Sequence, residues 1–419
     1  MKPYMTEVPE RSRSSEGRFI MLALRRMCFG FVFTVSVFCA FTLIMPDISR
    51  ADLAVTPTFL VEEQYSDNWF RAEEDEDTFW VTRISPGLSI RYATSRSQLS
   101  FDGSYSYSWH YSPSNDANAS DQDYSGADIS LAAAYQPTSR VTLGLSNDFS
   151  RTREPASTDE FSESTERNLY WRNTVSPYIT YDIAEKGQIR LGYQGDVLMW
   201  SSKDPGQGDS KEHQGSLTLT YNLNSTNHLD LDSHVARRSY DEGLSDYYRY
   251  QSKLIFRHEF NTYFSGRVGA GHQHRDYDDS DLQDSDEFVF DAGLTGATDR
   301  TKLDLSAERN LVNFTTEDEY FTALRVNLSL QRIFQEVIRT YAGGYYQRSN
   351  YIESPRRDHT YNGFVGVGYR FFRKMFEVSL EYQYTNRDSN ETGRDYVENQ
   401  VFLRLNMSYD KFLDLFHKE

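Results

Sequence analysis

The segment Leu99-Ser-Phe-Asp-Gly-Ser-Tyr-Ser-Tyr-Ser-Trp-His-Tyr111 alternates apolar and polar residues almost without interruption. Successive side chains of a β-strand point to opposite faces, so one face of this segment is aromatic and the other is rich in serine. The pattern therefore predicts a strand with apolar surroundings on one side and polar surroundings on the other.

The same alternation recurs along most of the chain. Other clear examples lie at residues 141–145, 189–193, 217–223, 324–330, 365–371, 376–384 and 401–409. Eight short, turn-rich breaks join these segments in pairs, at intervals of about forty residues. The breaks centre on Ser95, Pro137, Glu185, Ser225, Asn261, Asp299, Gln335 and Arg373. Longer acidic stretches separate the pairs, for example at residues 73–77, 115–123, 151–166, 201–212, 276–287 and 387–395.

Alternating short and long connections predict an all-β fold, a transmembrane antiparallel up-and-down β-barrel of the bacterial outer membrane. The short turns would be periplasmic and the long acidic loops extracellular. Eight turns and nine loops give about eighteen strands, with both termini on the periplasmic side. The first strand, interrupted by Pro57, and the segment around residues 337–346 have the weakest patterns, and loss of one hairpin would leave sixteen strands. A barrel of either size is wide enough for a water-filled lumen.

The composition agrees with this prediction. Only 38% of the residues are hydrophobic, whereas aromatic residues make up 15%. A soluble protein with so few aliphatic residues would fill a large core poorly, while a barrel with a polar lumen needs one apolar face per strand. A propeller also repeats at about forty residues, but its blades do not alternate short and long hairpins.

Residues 1–51 have the features of a signal peptide. Arg25 and Arg26 precede an apolar run from Met27 to Met45, and Ser49-Arg50-Ala51 offers a cleavage site. Met21 is an alternative start of translation. The alternative to a cleaved signal peptide is a single membrane-spanning anchor, because the apolar run approaches spanning length. We therefore predict a signal peptide over 1–51, a barrel over 52–410 and a short C-terminal tail over 411–419.

Charge and cysteine content exclude several kinds of function. Both cysteines lie within residues 1–51, so the mature chain would have no disulfide or thiol chemistry. The full chain carries a formal charge of −18, and removal of residues 1–51 makes the balance more acidic. Such acidity argues against a nucleic-acid partner.

From about Val55 onward the chain resembles the β-barrel porin type 2 family of outer-membrane proteins. The resemblance rests on Thr56-Pro57, on Glu63-x-Tyr65-x-Asp67-Asn68-x-Phe70, and on Thr82-x-x-Ser85-Pro86-Gly87-Leu88 followed by Arg96-x-x-Leu99. It implies an outer-membrane barrel, and some members are associated with exopolysaccharide export. The family supplies no catalytic residues. One departure is that ten residues follow Tyr409, whereas many porins end on an aromatic residue.

Alternation also identifies charged residues that would point into the lumen and line a pore. The predicted pore-lining residues are Arg91, Asp102, Asp148, Arg172, Arg190, Asp196, Asp230, Asp232, Arg249, Lys253, Arg257, Arg267, Lys302, Asp304, Glu308, Arg325, Arg370, Glu377, Glu381 and Arg404. They would select solutes along a permeation path. Cross-strand ion pairs that brace the wall are the alternative interpretation, and both are compatible.

Two other constellations could carry chemistry. The loop from Asp276 to Glu287 places acidic residues at several positions of a calcium-binding template, but Asp281 occupies the position that requires glycine. Divalent cations at the acidic loops are one hypothesis, and a solvated loop is the other. His272 and His274, near Asp276, lack a nucleophile at a defined spacing. No metal site or catalytic site is predicted there.

The predicted function is a porin-like barrel for passive passage of hydrophilic solutes, not an enzyme, and without a cofactor. The alternatives are a barrel associated with surface exopolysaccharide export and a closed structural or adhesive barrel. The predicted surroundings are outer-membrane lipid, lipopolysaccharide and the barrel-assembly machinery. The predicted cargo is small hydrophilic solutes or polysaccharide.

Overall fold

A computed structural model describes residues 52–113, 119–155, 167–201, 208–241, 244–278, 282–313 and 320–409. The predicted signal peptide and the predicted tail from residue 411 lie outside these ranges. Eighteen strands occupy the described part of the chain. Two short 3-10 helices, Ala119–Gln122 and Ala184–Lys186, lie between strands. No helix in these ranges is long and apolar enough to span a membrane.

The strands are numbered in chain order. Strands β1 to β6 are Asp52–Ser66, Phe79–Ala93, Ser97–Tyr111, Tyr124–Thr138, Val141–Thr152 and Tyr170–Ile183. Strands β7 to β12 are Gly187–Trp200, Ser210–Asn222, Asn227–Tyr240, Tyr247–Glu259, Phe264–Tyr277 and Ser285–Ala297. Strands β13 to β18 are Thr301–Asn313, Tyr320–Phe334, Ile338–Tyr351, Arg357–Phe371, Phe376–Ser389 and Tyr396–Ser408.

Each strand pairs antiparallel with the next, and β18 pairs with β1, so the sheet closes into a barrel. The prediction of an all-β barrel with eighteen strands is confirmed, and the sixteen-strand alternative is wrong. Closure satisfies the backbone groups of every strand and leaves no free sheet edge, which a bilayer requires. Eight short turns join β2 to β3, β4 to β5 and so on to β16 and β17, as the breaks in the sequence predict. One boundary differs, because Pro137 lies in the last part of β4 and the turn follows Thr138.

Local chemistry explains several of these turns. Thr94 and Thr298 each accept a hydrogen bond at Oγ1 from the backbone N–H three residues later, which closes the turn. Asn261 does the same for Phe264 through Oδ1. In the turn from β14 to β15, Gln335 and Glu336 both have positive φ angles, of 49° and 62°. Positive φ at both central residues matches the twist of the flanking strands.

The register fixes which face of each strand is inward. Glu62 of β1 bonds to Arg83 of β2 and to Arg404 of β18, and this charged face is the inner one, because the opposite face of the strands carries exposed apolar side chains. Side chains on the other face of the strands form the outer surface. The outer residues Leu328, Val365 and Leu380 are 49%, 56% and 52% exposed. These exposed apolar side chains form the surface that contacts lipid.

The orientation of the barrel in the membrane can be tested with inserted epitopes. An epitope placed after Glu391, in the long connection between β17 and β18, should be labelled by antibody on intact cells. An epitope at Asp299, in the turn between β12 and β13, should be labelled only after the outer membrane is permeabilised. The expectation follows because longer connections lie outside and tight turns are periplasmic. Surface labelling at Asp299 would reverse the orientation.

Candidate functional site in the barrel lumen

All twenty charged residues proposed from the sequence lie on the inner face of the barrel. The pairing of neighbouring strands gives this result, since each ladder aligns inward positions with inward positions. Thirteen of the twenty form ion pairs: Arg91, Asp102, Arg172, Asp196, Asp230, Arg249, Lys253, Arg257, Arg267, Arg370, Glu377, Glu381 and Arg404. Of the other seven, Asp232 lies 3.0 Å from His234 Nε2 and Arg325 donates from Nε to Gln347 Oε1 at 2.6 Å; the rest are Asp148, Arg190, Lys302, Asp304 and Glu308.

Many of the ion pairs join neighbouring strands at short distances. Arg172 Nε lies 2.7 Å from Asp196 Oδ2 across β6 and β7. Arg257 Nε lies 2.6 Å from Asp230 Oδ2 across β10 and β9. Some ion pairs join strands that are not neighbours: Arg249 of β10 reaches past β9 to Glu212 of β8, at 2.8 Å. These pairs brace the wall and leave less free charge in the lumen than the sequence alone suggests.

Other inward residues have different partners. Asp148 accepts a hydrogen bond from Ser130 Oγ at 2.7 Å. The guanidinium of Arg190 lies 3.8 Å from the ring centroid of Tyr178, a cation–π contact. The Tyr178 ring packs against Gly144 of the neighbouring strand β5, and a Cβ at position 144 would collide with the ring. Arg190 is therefore held in place on an aromatic surface that glycine makes room for.

Sequence reasoning missed several inward charges. They are Glu62, Arg83, Asp128, Glu212, Arg275, Asp291 and Arg339. Asp291 lies between two cations, because Lys253 and Arg267 are 3.2 and 3.3 Å from its carboxylate. Arg83 lies eight residues before Arg91 on β2, and an even separation along a strand places both side chains on the same face. Continuing the alternation back from Arg91 would therefore have predicted Arg83 as an inward residue.

A buried cluster occupies the long-loop end of the lumen. We call Trp69, Phe79, His110 and Arg167 the Trp69 cluster. Trp69 belongs to the connection between β1 and β2, yet it is 2% exposed and packs 5.6 Å from Phe79. Arg167 lies 3.7 Å from the Trp69 ring centroid and donates from Nε to the Trp69 carbonyl at 2.8 Å. The described part of this connection thus folds into the barrel and narrows its mouth.

Ion pairs fasten the Trp69 cluster to the wall. Glu398 of β18 is fully buried and accepts hydrogen bonds from Ser66 Oγ at 2.8 Å and Arg71 Nε at 3.0 Å, with Arg167 Nη2 at 3.6 Å. Glu154, which follows β5, binds Arg167 at 2.9 Å and Arg83 at 3.2 Å. Burial disfavours the charged form of Glu154, but Arg167 and Arg83 outweigh it and lower its pKa to about 2. Glu154 is therefore ionised at neutral pH.

Two neighbouring recesses lie in the inner wall formed by β1 to β6. The loop-side recess has a volume of about 440 Å³ and includes Asp102, Asp128, Asp148 and Arg172 together with serine and threonine side chains. The turn-side recess, also about 440 Å³, includes Arg91 and Tyr178 together with small side chains of β3, β4 and β5. These recesses are spaces in the lumen that a solute of modest size can occupy.

The other two constellations lie elsewhere. His272 and His274 both point outward and share Asp286, at 3.4 and 2.9 Å. Across the described residues, no group of three or more His, Cys, Asp or Glu is arranged to hold a metal ion. The acidic loop is only partly described, since residues 279–281 fall outside the structure; Asp284 at its end accepts a hydrogen bond from the Tyr277 backbone N–H.

Comparison with solved structures gives barrels of the outer membrane. OccK9 of Pseudomonas aeruginosa is 12% identical, with a TM-score of 0.48 over 85% of this chain and 99% of that chain. OccAB4 of Acinetobacter baumannii is 13% identical, with a TM-score of 0.47 over 86% of this chain and 99% of that chain. OccK2 of Pseudomonas aeruginosa in complex with glucuronate is 10% identical, with a TM-score of 0.50 over 85% and 98%. At such low identity these similarities describe the fold alone.

Among curated proteins, the sequence has no significant match. A family model described as "Putative beta-barrel porin 2" matches residues 52–409, which covers the whole set of strands. The match agrees with the closed barrel, with its apolar outer surface and with its charged lumen. The chain belongs to this family of outer-membrane β-barrel porins.

Proposed function

We propose that the barrel gives small hydrophilic solutes passive passage across the bacterial outer membrane. The observation that carries the proposal is the inner face of a closed eighteen-stranded barrel, which has charged side chains and open recesses where a soluble barrel would have a packed core. Barrels of sixteen to eighteen strands hold an aqueous channel. We propose no catalytic activity, since the family to which the chain belongs is one of porins.

Selectivity would come from the inward charges. Thirteen of the twenty predicted residues are ion-paired, so their main contribution is a rigid wall with small local fields. Asp148, Lys302, Asp304 and Glu308 form no ion pair with any described residue and would exert the larger influence on a passing ion. The Trp69 cluster would set the size limit at the outer mouth.

The proposal predicts channel currents. Purified protein reconstituted in a planar lipid bilayer should give stepwise current increases in potassium chloride, because an aqueous lumen conducts ions. The folded state should be checked on the same sample by its heat-dependent migration on gels. A folded barrel that stays silent at all voltages would contradict passive passage.

A closed structural barrel is the second candidate, and the Trp69 cluster is the observation that favours it. The cluster lies inside the mouth, where Arg167 pairs with Glu154 and Glu398, and the nearby Arg71 also pairs with Glu398. The bilayer measurement separates the two candidates, since a closed barrel gives no current. Association with exopolysaccharide export rests on the family resemblance, and polysaccharide-synthesis genes beside this gene would support it.

We propose that residues 1–51 direct export and are removed. Lipopolysaccharide and the assembly machinery would then meet the barrel in the outer membrane. Divalent cations at the acidic loops are a further proposal, because closely spaced carboxylates attract counter-ions.

A further inference from the structure

We propose that solutes cross the lumen along one side of the barrel, over the inner faces of β3, β4 and β5, and that Asp128 and Asp148 make this track selective for cations. The inference rests on the proposed function and deepens it. The solute class is small, hydroxyl-rich molecules that are cationic or neutral, with anions disfavoured.

The first step is the continuity of the two recesses. In the ladder of β3 and β4, Asp102 faces Ser130 and Ser100 faces Ala132. The ladder of β4 and β5 continues these rows, since Ser130 faces Asp148 and Ala132 faces Ser146. One row belongs to the loop-side recess and the next to the turn-side recess. The two recesses therefore follow each other along the same three strands and form one track.

The second step is side-chain size. The track follows inward positions occupied by small residues: Ser100, Ser104, Ser130, Ala132, Ala134, Ser146 and Ser150. β13 lies nine strands from β4 in the closed barrel and so forms the opposite wall. Its inward positions include Lys302, Asp304 and Glu308. Ser306 on β13 is also small, but Lys302 and Glu308 extend further than the serine and alanine side chains of the track, so the open space is displaced toward β4.

The third step is the balance of charge along the track. Asp102 binds Arg91 at 2.8 Å, and Arg172 binds Asp196 at 2.7 Å, so these groups neutralise each other. Asp128 and Asp148 form no salt bridge with any described residue. Arg190, stacked on Tyr178, lies at the edge of the turn-side recess. Two unneutralised carboxylates against one guanidinium leave the track negative.

The fourth step is hydrogen-bonding capacity. Thr58, Ser89, Ser104, Ser150 and Thr174 surround the two carboxylates in the loop-side recess. Hydroxyl groups can replace part of the hydration shell of a polyol, and carboxylates attract a protonated amine. A protonated amino sugar combines both features, while a sugar acid meets the same hydroxyls but the wrong charge.

Two measurements in planar bilayers test the inference. Under a potassium chloride gradient, the reversal potential of the wild type should show preference for potassium. The double variant Asp128→Asn/Asp148→Asn should lower the potassium-to-chloride permeability ratio roughly twofold or more. Asp304→Asn, on the opposite wall, also removes one lumen carboxylate and should lower the ratio less than Asp148→Asn alone, because Asp304 lies away from the track.

The position of the path is tested by placing a bulky side chain on one wall or the other. Ala132→Trp should reduce single-channel conductance by roughly half or more, because it fills the track, whereas Ser306→Trp on β13 should reduce it much less. In liposome swelling, glucosamine should enter faster than glucose, and glucuronate slowest. Equal effects of the two tryptophan variants, or an unchanged permeability ratio in the Asp double variant, would overturn the track while leaving the porin proposal intact. Absence of current from the folded wild type would overturn both.

Discussion

Replacing Glu398 with alanine should lower the free energy of unfolding by about 3–5 kcal/mol, because removal of one partner leaves buried cations without a counter-charge. Glu398 is fully buried and accepts from Arg71 and Ser66, with Arg167 close by. Arg167 keeps its bond to Glu154 in the variant, so Arg71 bears most of the loss. Urea unfolding of the barrel in lipid vesicles would measure the change.

The matched control is a carboxylate in an exposed pair. Glu336 binds Lys374 at 2.8 Å between two short turns, and both side chains are at least half exposed. Exposed pairs contribute little to stability, so Glu336→Gln should unfold at the wild-type urea concentration. Equal unfolding midpoints for Glu398→Ala and the wild type would show that the buried pairs do not hold the Trp69 cluster in place.

Alternation was enough to predict the strands because a barrel strand is simple in physical terms. One face contacts lipid and the other water, and the period of two follows from the backbone. The segment from Leu99 to Tyr111 predicts a strand that the structure extends by only two residues, to Ser97. The short turns were equally predictable, since Thr94, Asn261 and Thr298 carry the side-chain oxygens that close them.

Pro57 made the first strand uncertain, and the register explains why the strand forms. Proline has no backbone N–H and usually interrupts a sheet. Its carbonyl accepts from Tyr409, so this edge of the residue faces β18. The ladder between β1 and β18 begins at Thr58, which pairs with Ser408 and is the residue that directly follows Pro57. The missing N–H therefore falls beyond the ladder and breaks no hydrogen bond of the sheet.

The partners of the inward charges could not be predicted in the same way. A face follows from one strand, but a pair needs the register between strands that are far apart in sequence. Glu62 and Arg404 meet only because β18 closes on β1. Asp291 lies between Lys253 and Arg267 only because β10, β11 and β12 are aligned as they are. The inward position of Trp69 also depends on three-dimensional contacts, since the connection that contains it carries the acidic residues 73–77 typical of an exposed loop.

Replacing Leu380 with arginine should lower the free energy of unfolding in lipid by about 2–4 kcal/mol, because a charge on the lipid face must enter the hydrocarbon. Leu380 points outward, is 52% exposed and lies between Val367 and Leu403 on the neighbouring strands. Its neighbour Glu381 points inward, 3.1 Å from Arg404, which also binds Glu62 at 2.5 Å. Glu381→Gln is thus the matched control: Arg404 keeps a carboxylate partner, and the barrel should stay nearly as stable as the wild type. Folding yield and urea unfolding in vesicles would compare the two variants. Greater destabilisation by Glu381→Gln than by Leu380→Arg would place β17 one residue out of register, with Leu380 in the lumen and Glu381 against lipid.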